Sequence, residues 1–152
     1  EFQLMNDLIE RQSQINKLQE NLASIRKIAG WTSEILGTKI GVTKQTISNL
    51  ENRKTTMNFT QYIAIRSIID AEIENNKDST VLRDVVKILL DSENELDEEK
   101  YEEVQKSVEK VAATAAGGIT GAALFPVFIA LVPLAGGILS ALTAINWKKI
   151  LK

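Results

Sequence analysis

Apolar residues near the start of the chain recur at alternating spacings of three and four. Leu4, Leu8, Ile15, Leu18, Leu22 and Ile25 follow this spacing, and Arg11 is the polar interruption of the stripe. The period is that of a helix with a narrow apolar seam, as in a short coiled coil. It predicts a helix over 3–19, in an N-terminal segment 1–19. Two interpretations stay open, a helix that pairs with a second copy and an amphipathic helix that packs on its own domain.

The pattern over residues 20–74 predicts four short helices separated by glycines and capping residues. The first ends at Gly30, because glycine accepts the positive φ that follows many helices. The second begins at Thr32 or Ser33, with Ile35, Leu36 and Ile40 pointing inward, and Gly41 and Val42 then form a corner. Thr43 caps the third helix, Lys44 to Glu51 or Asn52, and Asn58 or Thr60 starts the fourth.

The segment 75–110 begins with a polar linker, Asn-Asn-Lys-Asp-Ser-Thr over residues 75–80. A short helix is predicted over 81–90, and Asp97 is placed to cap another helix that begins at Glu98. The charged face of this later helix carries Glu99, Glu102, Glu103, Lys106 and Glu109, and such a face is usually a solvated surface. The segment is therefore interpreted as an acidic helical spacer.

The last segment, 111–152, contains 37 consecutive residues without a charge, from Val111 to Trp147. A bilayer-spanning helix needs about 20 apolar residues, and Trp147 followed by lysines resembles an interfacial anchor. Gly117, Gly118, Gly121, Gly136 and Gly137 offer small surfaces for close helix contact, and Pro126 and Pro133 predict kinks. Two interpretations stay open, membrane insertion through 111–147 and an oligomerisation core in which several subunits bury one another.

Charge is segregated along the chain, although the net charge is only −2. The stretch from Glu20 to Thr60 contains six basic and three acidic residues, whereas the stretch from Asp70 to Lys110 contains fourteen acidic and six basic residues. The chain has no Cys and no His. Disulfides, Cys/His zinc sites and His-based catalysis are thereby excluded. We expect no metal, no cofactor and no catalytic residue, because no nucleophile–base pair or phosphate loop is found.

The order Ile40-Gly41-Val42-Thr43 suits a tight corner between two helices, since it supplies a positive-φ residue and then an apolar plug. In the helix that follows, Ile47 and Leu50 point to the core. Lys44, Gln45, Ser48 and Asn49 lie together on the outward face. Short polar and basic side chains in this position are the ones that reach base edges in the major groove.

The stretch from Gly30 to Lys54, GWTSEILGTKIGVTKQTISNLENRK, resembles the helix-turn-helix of the lambda-repressor-like (Xre) family through nearly its whole length. The resemblance covers about a third of the chain, including its capping, core and outward positions. It implies that Lys44, Gln45, Ser48 and Asn49 read bases. It also implies phosphate contacts, which are assigned to Thr32, Ser33, Thr43, Thr46, Arg53 and Lys54.

Three positions depart from the family pattern. Ser33 replaces the usual Gln, which implies a weaker or water-bridged phosphate contact. Gly37 replaces a small Ala inside the second helix, at a cost of roughly 1 kcal/mol in helix propensity. Arg53 stands where Gly often follows the Glu-Asn pair, and it either adds a phosphate contact or alters the turn.

The chain is therefore predicted to be all-α: an N-terminal helix, a lambda-repressor-like helix-turn-helix domain, an acidic spacer and a hydrophobic Gly/Ala-rich C-terminal helical segment. The expected function is sequence-specific binding of double-stranded DNA by a transcriptional regulator, a repressor acting as a homodimer or higher oligomer on an inverted repeat. A cytoplasmic DNA-binding domain is expected. Three variants of this function stay open: a membrane-tethered regulator, a repressor with an oligomerising C-terminus, and a membrane-active effector that regulates its own gene.

Overall fold

The described part of the chain is helical throughout. The computed structural model describes residues 1–77, 80–92, 96–132, 142 and 144–152. Its helices are α1 (Phe2–Ile28), α2 (Ser33–Ile40), α3 (Lys44–Glu51), α4 (Phe59–Asn75), α5 (Val81–Leu89), α6 (Glu98–Ala116) and α7 (Leu124–Leu131), with short 3₁₀ helices at Gly121–Ala123 and Trp147–Leu151. The prediction of an all-α chain is confirmed for these residues.

Helix α1 is continuous across the predicted boundary between residues 19 and 20. Its apolar stripe divides into two parts. Ile15 and the apolar positions after it are buried in the chain's own core, whereas Leu4 and Leu8 are exposed. The packed amphipathic helix is thus the right interpretation from Ile15 onward, and the first three turns present an uncovered apolar surface.

Local capping rules explain where the helices begin and end. The α1 terminus closes in a Schellman motif, because Gly30 has φ +82° and the Trp31 N–H reaches the Arg26 carbonyl at 3.1 Å. Asn58 and Gln61 form a reciprocal capping box at the start of α4. Asp97 caps α6, accepting the Lys100 N–H at 2.8 Å. These termini agree with the sequence prediction.

Helices α5 and α6 do not form a separate spacer. The α5 side chains Val81, Val85, Ile88 and Leu89 are fully buried in the same core as α1 and α4. Helix α6 packs along α1, where the Tyr101 hydroxyl donates to the Leu89 carbonyl at 2.6 Å and accepts from the Asn21 amide at 3.2 Å. Only the outer face of α6 carries the solvated acids, so the spacer interpretation is corrected.

Part of the uncharged segment also enters the chain's own core. Leu124, Phe128 and Val132 are buried. Trp147, which was predicted as an interfacial anchor, is 4% exposed, and its indole N–H donates to Asp70 Oδ2 at 2.8 Å. Within the described ranges, no helix combines the length and apolar character that crossing a bilayer demands. Pro133, Gly136 and Gly137 lie outside the described residues.

Candidate nucleic-acid interface

The corner between α2 and α3 depends on two glycines. Gly41 ends α2 with φ +79°, a conformation that other residues adopt only at a cost. Gly37 lies where the backbones approach most closely, since a Cβ there would lie 2.7 Å from the Val42 carbonyl oxygen. The glycine that weakens α2 as a helix is therefore required by the close approach of the next backbone segment.

Threonine hydroxyls cap both helices of the corner. Thr32 accepts the Ile35 N–H at 3.1 Å, and Thr43 accepts the Thr46 N–H at 3.1 Å. The hydroxyls of Thr43 and Thr46 are also hydrogen-bonded to each other at 3.0 Å. Both predicted caps are confirmed. The Thr43 and Thr46 side chains, which were predicted to contact phosphates, thus already serve the helix terminus.

Helix α3 has one buried face and one open face. Ile47 and Leu50 are fully buried. On the open face, Lys44 and Gln45 are exposed and Ser48 and Asn49 are half-buried. The four side chains predicted to read bases are therefore together on one side of a two-turn helix.

Hydrogen bonds order the polar side chains of this face. Gln45 Nε2 donates to Asn49 Oδ1 at 2.9 Å, and Asn52 Nδ2 donates to Ser48 Oγ at 3.3 Å. The Gln45–Asn49 bond uses Nε2 of Gln45 and Oδ1 of Asn49, and Oε1 of Gln45 and Nδ2 of Asn49 take no part in it. The two residues can thus present neighbouring donor and acceptor groups to a base edge.

The predicted phosphate-binding residues lie at the start of α2, at the start of α3 and in the turn after α3. Thr32, Ser33 and Lys44 line a cleft of about 410 Å³ together with Lys27. The end of α6 and Thr120 form the opposite wall of this cleft. Arg53 and Lys54 are exposed at the other end of α3. A cationic group therefore flanks the open face at each end.

Arg53 adopts the left-handed conformation that glycine usually supplies. Its φ is +57°, and the Lys54 N–H reaches the Asn49 carbonyl at 2.9 Å while the Arg53 N–H reaches the Leu50 carbonyl at 3.2 Å. These two bonds define a Schellman motif. The turn after α3 is therefore preserved, and a long cationic side chain projects from it, 63% exposed and 3.9 Å from Glu20.

Arg26, one of the six basic residues between Glu20 and Thr60, is paired internally with Glu51. The partners are 25 residues apart, and no spacing rule connects them. Arg26 therefore adds nothing to the positive charge available at the surface. A second correction concerns Ile35, which was predicted to point inward but is 42% exposed, because Leu36 fills the buried position of α2.

No structural role was predicted for Gln19 of α1, although its side chain is hydrogen-bonded to the loop that follows α3. Its side-chain nitrogen donates to the Leu50 carbonyl at 3.0 Å and to the Thr55 carbonyl at 2.8 Å. Its oxygen accepts the Met57 N–H at 3.0 Å. Its place beside the apolar stripe, four residues after Ile15 and three before Leu22, was the available signal, since a polar side chain next to the core needs hydrogen-bond partners.

The described ranges contain no group of three acidic side chains arranged to hold a metal ion. The chemistry offered by α2, α3 and the turn after α3 is thus hydrogen bonding and positive charge. Neither a protein-family model, nor a curated protein, nor a solved structure matches the chain.

Proposed function

We propose that this protein binds double-stranded DNA sequence-specifically and regulates transcription, as a repressor that acts by occupying its operator. The observation that carries the proposal is the two-faced α3. Ile47 and Leu50 anchor one face completely, while Lys44, Gln45, Ser48 and Asn49 stand open on the other. A short, rigidly anchored helix with an uncovered polar face fits the major groove, which is wide enough for one helix.

Each side chain of the open face has a role in this proposal. Gln45 and Asn49 suit adenine, because a side-chain amide pairs its donor and acceptor with N7 and N6 of that base. Lys44 suits guanine, whose major-groove edge carries two acceptors. Ser48 donates or accepts according to the base that it meets. The base preference itself depends on how α3 lies in the groove.

Phosphate contacts would come from both ends of the corner. The exposed Thr32 and the half-buried Ser33 lie at the N-terminus of α2, where free N–H groups favour an anion. Arg53 and Lys54 extend from the turn after α3. Contacts on both sides of α3 would fix its register in the groove, because phosphate contacts orient a protein on the duplex without reading its sequence.

We also propose that two copies bind together through the start of α1. Large apolar side chains are exposed there on adjoining faces of the first three turns: Phe2, Leu4, Met5, Leu8 and Ile9. Scattered apolar residues are normal on a surface, but a contiguous group of this kind marks an interaction site. Pairing of α1 with a second copy would cover it and would present two α3 helices to an inverted repeat.

The C-terminal variants of this function receive less support from the described residues. Phe128 is fully buried, and Trp147 packs edge-on against Tyr62 at 5.7 Å between ring centroids. Lys149 forms an ion pair with Glu10 at 2.7 Å. The buried residues of the uncharged segment thus pack within one chain, and the proposal requires neither a membrane anchor nor a core shared between subunits.

Selection from a pool of random duplexes tests the proposal. The full chain is incubated with the pool, bound duplexes are recovered by gel shift and sequenced, and the cycle is repeated. We expect a short half-site to appear twice in inverted orientation, with centres about one helical turn apart. Recovery without sequence enrichment would contradict specific binding, and enrichment of a single half-site would contradict the paired arrangement.

A further inference from the structure

A cavity of about 900 Å³ opens between α4, α5 and α7, away from α3. This volume lies in the range of small-molecule sites in proteins. Its apolar wall is formed by Ile73, Val86, Phe125 and Ile129. The cavity plays no part in the proposed DNA contacts, so it needs an explanation of its own.

Helix α7 contributes the most exposed part of that wall. Phe125 is 44% exposed and Ile129 is 42% exposed, although both are large and apolar. They are four residues apart and hence lie on one face of the helix, while Leu124 and Phe128 bury the other face in the core. An apolar ligand body in the cavity would cover the two exposed side chains.

The polar side of the cavity carries more buried negative than positive charge. Arg66, Asp84 and Asp91 are its three buried ionic side chains, at 2%, 9% and 8% exposure. The half-buried lining residues Asp70 and Lys87 have opposite charges, and Arg83 at the rim is exposed. Among the described residues that line the cavity, the buried ionic side chains are thus one cation and two carboxylates.

The two carboxylates are compensated unequally. Arg66 Nη2 donates to Asp91 Oδ2 at 2.6 Å, and the Arg66 guanidinium also lies 3.7 Å from Asp70, so its charge is shared by two acids. Asp91 Oδ1 has no hydrogen-bond partner among the described residues. Among the described residues, Asp84 lies 3.5 Å from the solvent-exposed Arg83 and is also attracted by the half-buried Lys87, and an ion pair with a solvent-exposed partner is weak because water screens it. Burial raises the pKa of both Asp84 and Asp91.

We propose that this cavity binds an organic monocation with an apolar body, such as a hydrophobic amine or quaternary ammonium compound. The positive head lies toward Asp84 and Asp91 and supplies the charge that the buried side chains lack. The apolar body lies along α7, against the exposed side chains of Phe125 and Ile129. This inference is independent of DNA binding, and its test does not use DNA.

Three probes of matched size test the charge preference by isothermal titration calorimetry on the full chain. They are phenylbutylamine, phenylbutanol and phenylbutyrate, which carry a positive, neutral and negative head. We expect saturable one-site binding of the amine, about tenfold weaker binding of the alcohol, and still weaker binding of the acid. Absence of saturable amine binding, or acid binding as tight as that of the amine, would overturn the proposal.

Variants locate the site. Ile129→Ala should weaken amine binding about fivefold, since each lost contact of an apolar wall costs affinity. Ile119→Ala is the matched control, because Ile119 is 44% exposed but does not line the cavity. Asp84→Asn leaves the Arg66–Asp91 pair intact and should reduce amine affinity to that of the alcohol. Equal losses in Ile129→Ala and Ile119→Ala, or an unchanged amine preference in Asp84→Asn, would contradict the assignment.

Discussion

Arg26 and Glu51 form a two-point ion pair that joins α1 to the end of α3. Arg26 Nε lies 2.6 Å from Glu51 Oε2, and Nη2 lies 3.0 Å from Oε1. The third nitrogen, Nη1, donates to the Trp31 carbonyl at 2.9 Å, just before α2 begins. Both charged side chains are 11% exposed. One guanidinium therefore fixes the relative positions of the three helices that build the proposed DNA-binding surface.

Glu51→Gln should destabilise the fold, because it leaves a largely buried guanidinium without its counter-charge. We expect a loss of about 3 kcal/mol in the free energy of unfolding, measured by urea denaturation. Glu34→Gln, a change at an exposed glutamate of α2, is the matched control and should stay within about 0.5 kcal/mol of wild type. Equal effects of the two substitutions would show that the ion pair does not support the fold.

Arg53→Gly should raise the stability of the fold and lower its affinity for DNA. Glycine relieves the left-handed strain at φ +57°, so the free energy of unfolding should rise by about 1 kcal/mol. Loss of the cation should weaken duplex binding. It should also reduce the magnitude of the slope of log K against log salt concentration by about one. Lys54→Ala is the comparison, with a similar binding loss and unchanged stability. Unchanged salt dependence in Arg53→Gly would exclude Arg53 as a phosphate contact.

Gly37→Ala should be destabilising although alanine is the better helix former. The added Cβ would meet the Val42 carbonyl at 2.7 Å and force α2 away from the segment that leads into α3. We expect a loss of about 2 kcal/mol. Gly117→Ala is the matched control, because its nearest neighbour would be at an ordinary 3.4 Å. If thermal unfolding ranks the two variants equally, the tight α2–α3 corner is not rigid in solution.

The buried Tyr62 and the half-buried Tyr101 should respond differently to loss of the hydroxyl. Burial raises the pKa of both Tyr62 and Tyr101 to about 12, although Arg66 opposes this shift at Tyr62. The Tyr62 hydroxyl makes no hydrogen bond of standard geometry among the described residues, although the Arg66 guanidinium lies near enough to interact with it, whereas the hydroxyl of Tyr101 bonds to Leu89 and Asn21. Tyr62→Phe should therefore be neutral or stabilising, and Tyr101→Phe should cost about 2 kcal/mol. Comparable losses in urea denaturation would reveal a partner for Tyr62.

The features that the sequence predicted well depend on residues close together in the chain. Caps act over three residues, as at Thr43, and the open face of α3 follows from helical periodicity once the buried Ile47 and Leu50 are recognised. The positive φ of Gly41 was predictable from its place between two helical patterns. Local rules therefore sufficed for the corner and for the set of outward residues on α3.

The features that were missed depend on contacts between distant parts of the chain. Arg26 forms an ion pair with Glu51, 25 residues away in the sequence, and Trp147 donates a hydrogen bond to Asp70, 77 residues away. Composition suggested surface charge for the first residue and a membrane interface for the second, because both are common fates of these residue types. In the structure, both side chains are instead paired inside the fold. Periodicity likewise could not show that the stripe of α1 is covered from Ile15 onward and uncovered at Leu4 and Leu8.

The central claim is that Gln45 and Asn49 read bases, and one competition experiment tests it most directly. The affinity for the selected duplex is divided by that for a scrambled duplex, for wild type and for Gln45→Ala/Asn49→Ala. The control is Gln12→Ala/Asn16→Ala, which removes the same residue pair, with the same spacing and side-chain hydrogen bond, from an exposed face of α1. We predict that the ratio falls roughly 100-fold in the α3 variant and stays at the wild-type value in the control. An unchanged ratio in an α3 variant whose circular dichroism and thermal unfolding match wild type would contradict the account.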